Sequence, residues 1–204
     1  MRLGLLGGTF DPVHRGHVEL ARSAGAQGLD AVILVPARRP PHKPGAGMAG
    51  AFHRFAMAAL AAQGSPKLRV SSFELEREGP SYTIETARHF AQEGHDVTLI
   101  MGSDSLAELE SWREARALVE LARVLVYPRR PALRPGVETR LPGWIRDRLE
   151  GPRPGIVWMD AAPDDVSSSD IRERLRRGQA VAGMMPPPVE EYVAKHGLYA
   201  GGRP

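Results

Sequence analysis

The stretch Ala31 to Pro36 reads AVILVP, with no charged or hydrogen-bonding side chain in it. A continuous apolar run between turn signals is the pattern of a strand covered on both faces. Leu3 to Leu6 and Val97 to Met101 read the same way, and Leu68 to Leu75, Arg123 to Tyr127 and Ile156 to Met159 are further strand-like runs. Helix-like segments alternate with them, over Gly16 to Ala26, Ala51 to Ala62, Tyr82 to Gln92 and Leu106 to Leu121. Strand–helix alternation predicts an α/β fold: a doubly wound parallel sheet with helices on both faces. Ser169 to Arg177, closed by Gly178, and Val189 to His196, opened by three prolines, predict a small C-terminal helical portion over about 165–200. The expectation is one domain over 1–204. The segments Arg38 to Gly50 and Pro128 to Gly143 read as long loops, which in a compact domain are usually functional.

Composition narrows the function classes. With 42% apolar residues the chain can bury a core, and with no cysteine it holds neither a disulfide framework nor a thiolate metal site. No run approaches the roughly 18 apolar residues of a membrane span. The apolar start at Leu3 is broken by Gly7-Gly8 and Asp11, too early for a secretory signal, so a cytoplasmic location is expected. The 27 basic and 24 acidic residues leave +3, and only Lys43, Lys67 and Lys195 are lysine. That excess is weak support for nucleic acid, and the arginine clusters lack interleaved aromatics; neither nucleic acid nor membrane is expected as a partner.

The strongest local signal is Gly7-Gly8-Thr9-Phe10-Asp11-Pro12-Val13-His14-Arg15-Gly16-His17. A buried strand runs into two glycines and then a helix start. Glycine lets backbone N–H groups approach an anion, the helix N-terminus favours negative charge, and His14 and His17 share one side of the first turn. The bland alternative is a tight turn with incidental histidines. A zinc site is a third reading, but no third ligand is evident and there is no H-E-x-x-H. No Walker loop or G-x-G-x-x-G fingerprint occurs. The second signal is Ser167-Ser168-Ser169-Asp170-Ile171-Arg172: hydroxyls and amides at a helix start with an arginine fork, or simple N-capping.

Together, Gly-Gly-Thr-Phe-Asp-Pro-x-His-x-Gly-His early and Ser-Ser-x-x-Ile-Arg late resemble the nucleotidylyltransferase superfamily. Within it the chain resembles the bacterial nicotinate-nucleotide adenylyltransferases. Pro40-Pro41-His42-Lys43, Glu76 to Thr83, Met101 to Leu106, Trp112 and Gly197-Leu198-Tyr199 agree as well, so the likeness covers nearly the whole length. Ser169 stands where the family often has threonine, and the segment after Arg130-Pro131 does not align clearly.

The resemblance implies a Rossmann-like sheet and transfer of the adenylyl group of ATP to nicotinate mononucleotide. The products are deamido-NAD and pyrophosphate, a step in NAD biosynthesis. It implies His14 and His17 as catalytic residues. Gly8, Thr9, Phe10, His14, His17, Lys43, Gly102, Asp104, Ser168, Ser169, Ile171 and Arg172 would bind ATP. Tyr82, Thr83, Asp104 and Trp112 would bind the mononucleotide, and Mg²⁺ would enter on the ATP phosphates with no dedicated protein site. Trp112 and Tyr82 read equally as packing, and Thr83 and Asp104 as helix caps. A phosphopantetheine or nicotinamide-mononucleotide acceptor and a non-catalytic RNA-binding module are the competing functions. The oligomeric state is open.

Overall fold

The computed structural model describes residues 1–40, 47–128, 134–149, 155–160 and 166–201. The described residues form a six-stranded sheet, with β1 (Arg2–Gly8), β2 (Ala31–Pro36), β3 (Leu68–Val70), β4 (Asp96–Gly102), β5 (Arg123–Tyr127) and β6 (Ile156–Trp158) in the order β3-β2-β1-β4-β5-β6. Every pairing is parallel. The helices are α1 (Arg15–Gly25), α2 (Ala51–Ala62), α3 (Phe73–Glu76), α4 (Thr83–Gln92), α5 (Ser103–Glu108), α6 (Ala115–Leu121), α7 (Arg134–Glu138), α8 (Gly143–Leu149), α9 (Ser168–Arg176) and α10 (Pro187–Lys195), with a 3₁₀ turn over Leu109–Ser111.

The apolar strands are apolar because both faces are covered. Val32 and Leu34 of β2 pack with α1, α2, α9 and α10, while Ala31, Ile33 and Val35 pack with α4, α6 and α8. The same alternation puts Leu6 on the first side of β1 and Leu3 and Leu5 on the second. Each fully buried branched side chain contributes roughly 1.5–3 kcal/mol. Gly4 takes its place on the α1 side because a Cβ there would lie 2.7 Å from Leu29 Cδ1 and 2.8 Å from Ile100 Cδ1.

Two expectations need correction. The run Leu68 to Leu75 is a strand only as far as Val70. Ser72 then opens the short helix α3, where Glu74 and Leu75 turn inward. The alternation across 71–75 was therefore helical burial rather than strand pleat. The second concerns 128–143, which is not all loop: it contains α7 and leads into α8, whose Ile145 is wholly buried against the sheet. Leu141 and Ile145 carry that helix pattern, and the surrounding Pro, Gly and Arg hide it.

Candidate active site

Parallel pairing brings all the strand ends to one edge, and the chain reverses its winding direction between β1 and β4. The crevice outside the carboxyl ends at such a reversal is where open α/β sheets bind ligands. Gly8 and Gly102 end the two strands that flank it. From Gly8 the chain turns through Thr9 and Phe10. Phe10 holds φ at +50° with its ring buried beneath Gly8 and edge-on to His17 at 5.1 Å.

His14 is the N-cap residue of α1, and no acidic side chain occupies the first turn. Two of the first amides already have partners within the chain: the Arg15 N–H donates to the Met184 carbonyl and the His17 N–H to the His14 carbonyl, each at 3.0 Å. The His14 backbone N–H donates to His17 Nδ1 at 3.3 Å, and the two imidazole rings lie 3.8 Å apart. A ring that accepts at Nδ1 carries its proton at Nε2 when neutral. His17 is thereby kept as an Nε2–H donor. His14 is 8% exposed, whereas His17 is half-buried.

The late serine motif meets this loop directly. Ser167 caps α9, accepting the Asp170 N–H at 3.1 Å. Ser168 Oγ donates to the Pro12 carbonyl at 2.9 Å. Arg172 donates from Nη1 to the Asp11 carbonyl at 2.6 Å and from Nη2 to Ser169 Oγ at 3.3 Å, with Nη1 3.6 Å from the Asp11 carboxylate. Capping and a contact with the β1–α1 loop are therefore both present, on different serines. Ile171 is the exception among the predicted binding residues. Its side chain is wholly buried, seating α9 on the core, and its amide bonds the Ser167 carbonyl.

Tyr82 and Thr83 open α4, and Tyr82 lies under the Arg113 guanidinium, 4.6 Å from the ring centroid. Trp112 ends the 3₁₀ turn next to Arg113 and is half-buried against the core on the α4 side. Arg113 and Glu114 are tied back to Glu85 and Arg88 of α4, so the Trp112 turn and the start of α4 form one unit. Asp104 is exposed in the first turn of α5, just beyond Gly102. Lys43 lies outside the described residues.

Behind α4, Glu74 is buried and accepts from Thr86 Oγ1 at 2.6 Å and from Ser81. Burial raises its pKa above the ordinary carboxylate value, with the two hydroxyls opposing. Ser81 Oγ in turn accepts the Arg38 N–H at 3.0 Å, and Arg38 Nη1 donates to the carbonyls of Leu75 and Arg77.

Sequence reasoning overlooked the frame that holds these parts. Arg54, only 1% exposed, donates to the carbonyls of Ala49 (3.0 Å), Thr9 (2.7 Å) and Arg38 (3.3 Å). Burial lowers its pKa while the Asp11 charge raises it, and it stays a cation. Asp11, 3% exposed, accepts at Oδ1 from the Ala49 N–H at 3.0 Å and from the Tyr199 O–H at 2.6 Å. Burial and then that hydrogen bond hold the Tyr199 phenol well above its ordinary range. A signal for Arg54 existed: it shares the α2 stripe of Met57, Ala58 and Ala61, where a charge is out of place.

Two further histidines make side-chain contacts away from this loop. His53 Nδ1 is 2.9 Å from the Tyr192 hydroxyl, and His89 stacks on Phe73 with centroids 4.0 Å apart. Among the described residues, no three His, Asp or Glu side chains form a group that could hold a metal ion, and no helix is long and apolar enough to cross a membrane.

Comparison with known proteins agrees with this geometry. The pattern of the family described as cytidylyltransferase-like matches residues 5–174. A Bordetella petrii protein named "Probable nicotinate-nucleotide adenylyltransferase" is 42% identical over 199 residues, covering 97% of this chain and 98% of that protein. A Thermomicrobium roseum protein of the same name is 39% identical, covering 97% and 91%. Among solved structures, Plasmodium falciparum nicotinic acid mononucleotide adenylyltransferase complexed with NaAD superposes with a TM-score of 0.73 at 18% identity, covering 97% of both chains.

Proposed function

The chain belongs to the nicotinate-nucleotide adenylyltransferases of the cytidylyltransferase-like family, and from that premise we propose how its residues carry out the reaction. It transfers the adenylyl group of ATP to nicotinate mononucleotide in NAD biosynthesis, giving deamido-NAD and pyrophosphate. A phosphate oxygen of the mononucleotide attacks the α-phosphorus in line. The bond from that phosphorus to the α,β-bridging oxygen breaks, and its electron pair leaves with pyrophosphate. The nucleophile is already an anion, so the protein needs no strong base. Its work is positioning and stabilising charge on the transferring centre.

The observation that supports the assignment of roles is the β1–α1 loop, with His17 kept as an Nε2–H donor in the first turn of α1 and Arg172 bonded to the same loop. His17 donates to the α-phosphate as charge builds there, and His14 and Arg172 meet the neighbouring phosphates. Gly8, Thr9 and Phe10 shape the backbone of the loop, Ser168 and Ser169 line it from α9, and Gly102 and Asp104 approach the nucleotide from β4. Lys43 reaches the phosphates from the segment after β2. Trp112 stacks on the pyridine ring, while Tyr82 and Thr83 offer the start of α4 to the nicotinate carboxylate. Asp104 bonds a ribose hydroxyl. Imidazoles, a guanidinium and hydroxyls suit phosphate oxygens better than a hard cation. Mg²⁺ would be held through the triphosphate rather than by these side chains, and would supply charge neutralisation there. The enzyme works in the cytoplasm, on small molecules rather than on nucleic acid or membranes.

Pyrophosphate release with ATP and Mg²⁺, run against nicotinate mononucleotide, nicotinamide mononucleotide and phosphopantetheine, tests the reading. Preference for the first is expected. Turnover with another acceptor alone would overturn the roles of Tyr82, Thr83 and Trp112. No turnover with any of the three would overturn the reaction itself.

A further inference from the structure

The segment Gly197-Leu198-Tyr199, singled out in the sequence, has no part in the reaction as described. Its conformation is nonetheless tightly specified. After α10 the chain turns back, with the Leu198 N–H donating to the Val193 carbonyl at 3.0 Å. Tyr199 then takes φ of +64°, a region that a bulky residue occupies only when its surroundings require it. Two residues on, Gly201 lies so close to α9 that a Cβ there would meet the Arg176 carbonyl oxygen at 2.8 Å. Residues 197–201 thus strap the end of α10 to the last turn of α9, and the phenol reaches inward from the strap.

What it reaches is Asp11. The carboxylate divides its work between its two oxygens. Oδ1 takes the Ala49 N–H and the Tyr199 O–H. Oδ2 is left facing Arg172 Nη1 at 3.6 Å, too long for a hydrogen bond but close enough for attraction. Arg172 is at the same time bonded to the Asp11 main-chain carbonyl and to Ser169. The guanidinium is therefore held beside the loop without being drawn fully onto the carboxylate.

We propose that Tyr199 is a positioning residue for ATP: its O–H satisfies Asp11 Oδ1, and so leaves Arg172 poised for the triphosphate instead of closing on Asp11. This rests on the assignment of Arg172 to the triphosphate. Without the phenolic hydroxyl, a buried carboxylate has lost one of two donors on that oxygen. Arg54 also faces this charge but is anchored on three carbonyls, whereas Arg172 lies 3.6 Å from Oδ2, and each donor it turns toward Asp11 is lost to the nucleotide. The acceptor half of the site, carried by α4 and the Trp112 turn, makes no contact with this strap in any bond described above.

The test compares the full-length wild-type chain with Tyr199→Phe, which keeps the ring and removes the hydroxyl. Steady-state kinetics are run for both substrates, with calorimetric titration of MgATP alone and a thermal melt. The expected result is a rise of roughly tenfold in both the ATP Michaelis constant and the ATP dissociation constant, the size of a charged hydrogen bond. The Michaelis constant for nicotinate mononucleotide stays within twofold to threefold of wild type. Gly201→Ala, which lifts the strap without touching the phenol, should shift ATP binding in the same direction. Unchanged ATP affinity in Tyr199→Phe would overturn the proposal. So would a loss confined to kcat that tracks a lower melting temperature, since that is the mark of a structural role. Absence of wild-type turnover with nicotinate mononucleotide would instead strike the proposed reaction, and the titration of MgATP would still decide the role of Tyr199.

Discussion

His17 Nδ1 accepts the backbone N–H of His14 at 3.3 Å, and their rings lie 3.8 Å apart. The first turn of α1 is closed by an imidazole at the third helical position, the place usually taken by the Glu or Gln of a capping box. A carboxylate there would cap as well but would repel phosphate. An imidazole caps with one nitrogen and keeps a donor on the other. His17→Ala is therefore expected to lower kcat roughly 100- to 1,000-fold, the cost of removing one preorganised donor, with the fold intact. Pyrophosphate release and circular dichroism check this. Near-normal turnover with an unchanged spectrum would reject the role.

Trp112 is half-buried, packed against the core on one side and partly exposed on the other, and the proposed function gives its ring the pyridine to stack on. Trp112→Ala should raise the Michaelis constant for nicotinate mononucleotide roughly tenfold, in the range of a lost aromatic–base stack, and leave that for ATP nearly unchanged. Equal rises for both substrates would return Trp112 to the core.

Arg54 satisfies three carbonyls from three loop positions and faces the Asp11 charge. Arg54→Met strands those carbonyls and the carboxylate, for an expected loss of about 3–5 kcal/mol. For a chain of this size that corresponds to a melting temperature lower by roughly 10 °C. Arg54→Lys should not restore it, since a single ammonium cannot match the planar set of donors. A lysine variant as stable as wild type would show that charge alone suffices.

Glu74 binds its proton more tightly in the folded chain than in the unfolded one, because burial raises its pKa. The folded state then holds more protons from the ordinary carboxylate range upward, so this residue's contribution to stability falls as pH rises through that window. Glu74→Gln keeps acceptors for Thr86 and Ser81 and removes the titration. The variant should match wild type at acid pH and gain on it toward neutrality in denaturant titrations run across pH. A difference independent of pH would mean that Glu74 does not titrate in that window.

Much of this molecule was legible residue by residue. AVILVP announces a doubly covered strand, Gly7-Gly8 followed by His14 to His17 announces a strand-to-helix turn, and Ser167 to Arg172 announces a capped helix with an arginine beside it. These signals are local: periodicity reports burial, and turn and cap residues report backbone shape, within a few positions of one another. The failures also have local causes. Over 71–75 too few residues separate one period from another, and around 128–143 Pro and Gly mask a weak helical stripe. Other features are not written in any one stretch. Arg54 meets Thr9 across 45 positions, Tyr199 meets Asp11 across 188, and Arg172 meets Asp11 across 161. Strand order and the packing of α2, α9 and the strap against one loop decide those pairings. A side chain's type shows that it needs a partner, but only the assembled elements determine which partner comes within a hydrogen bond's reach.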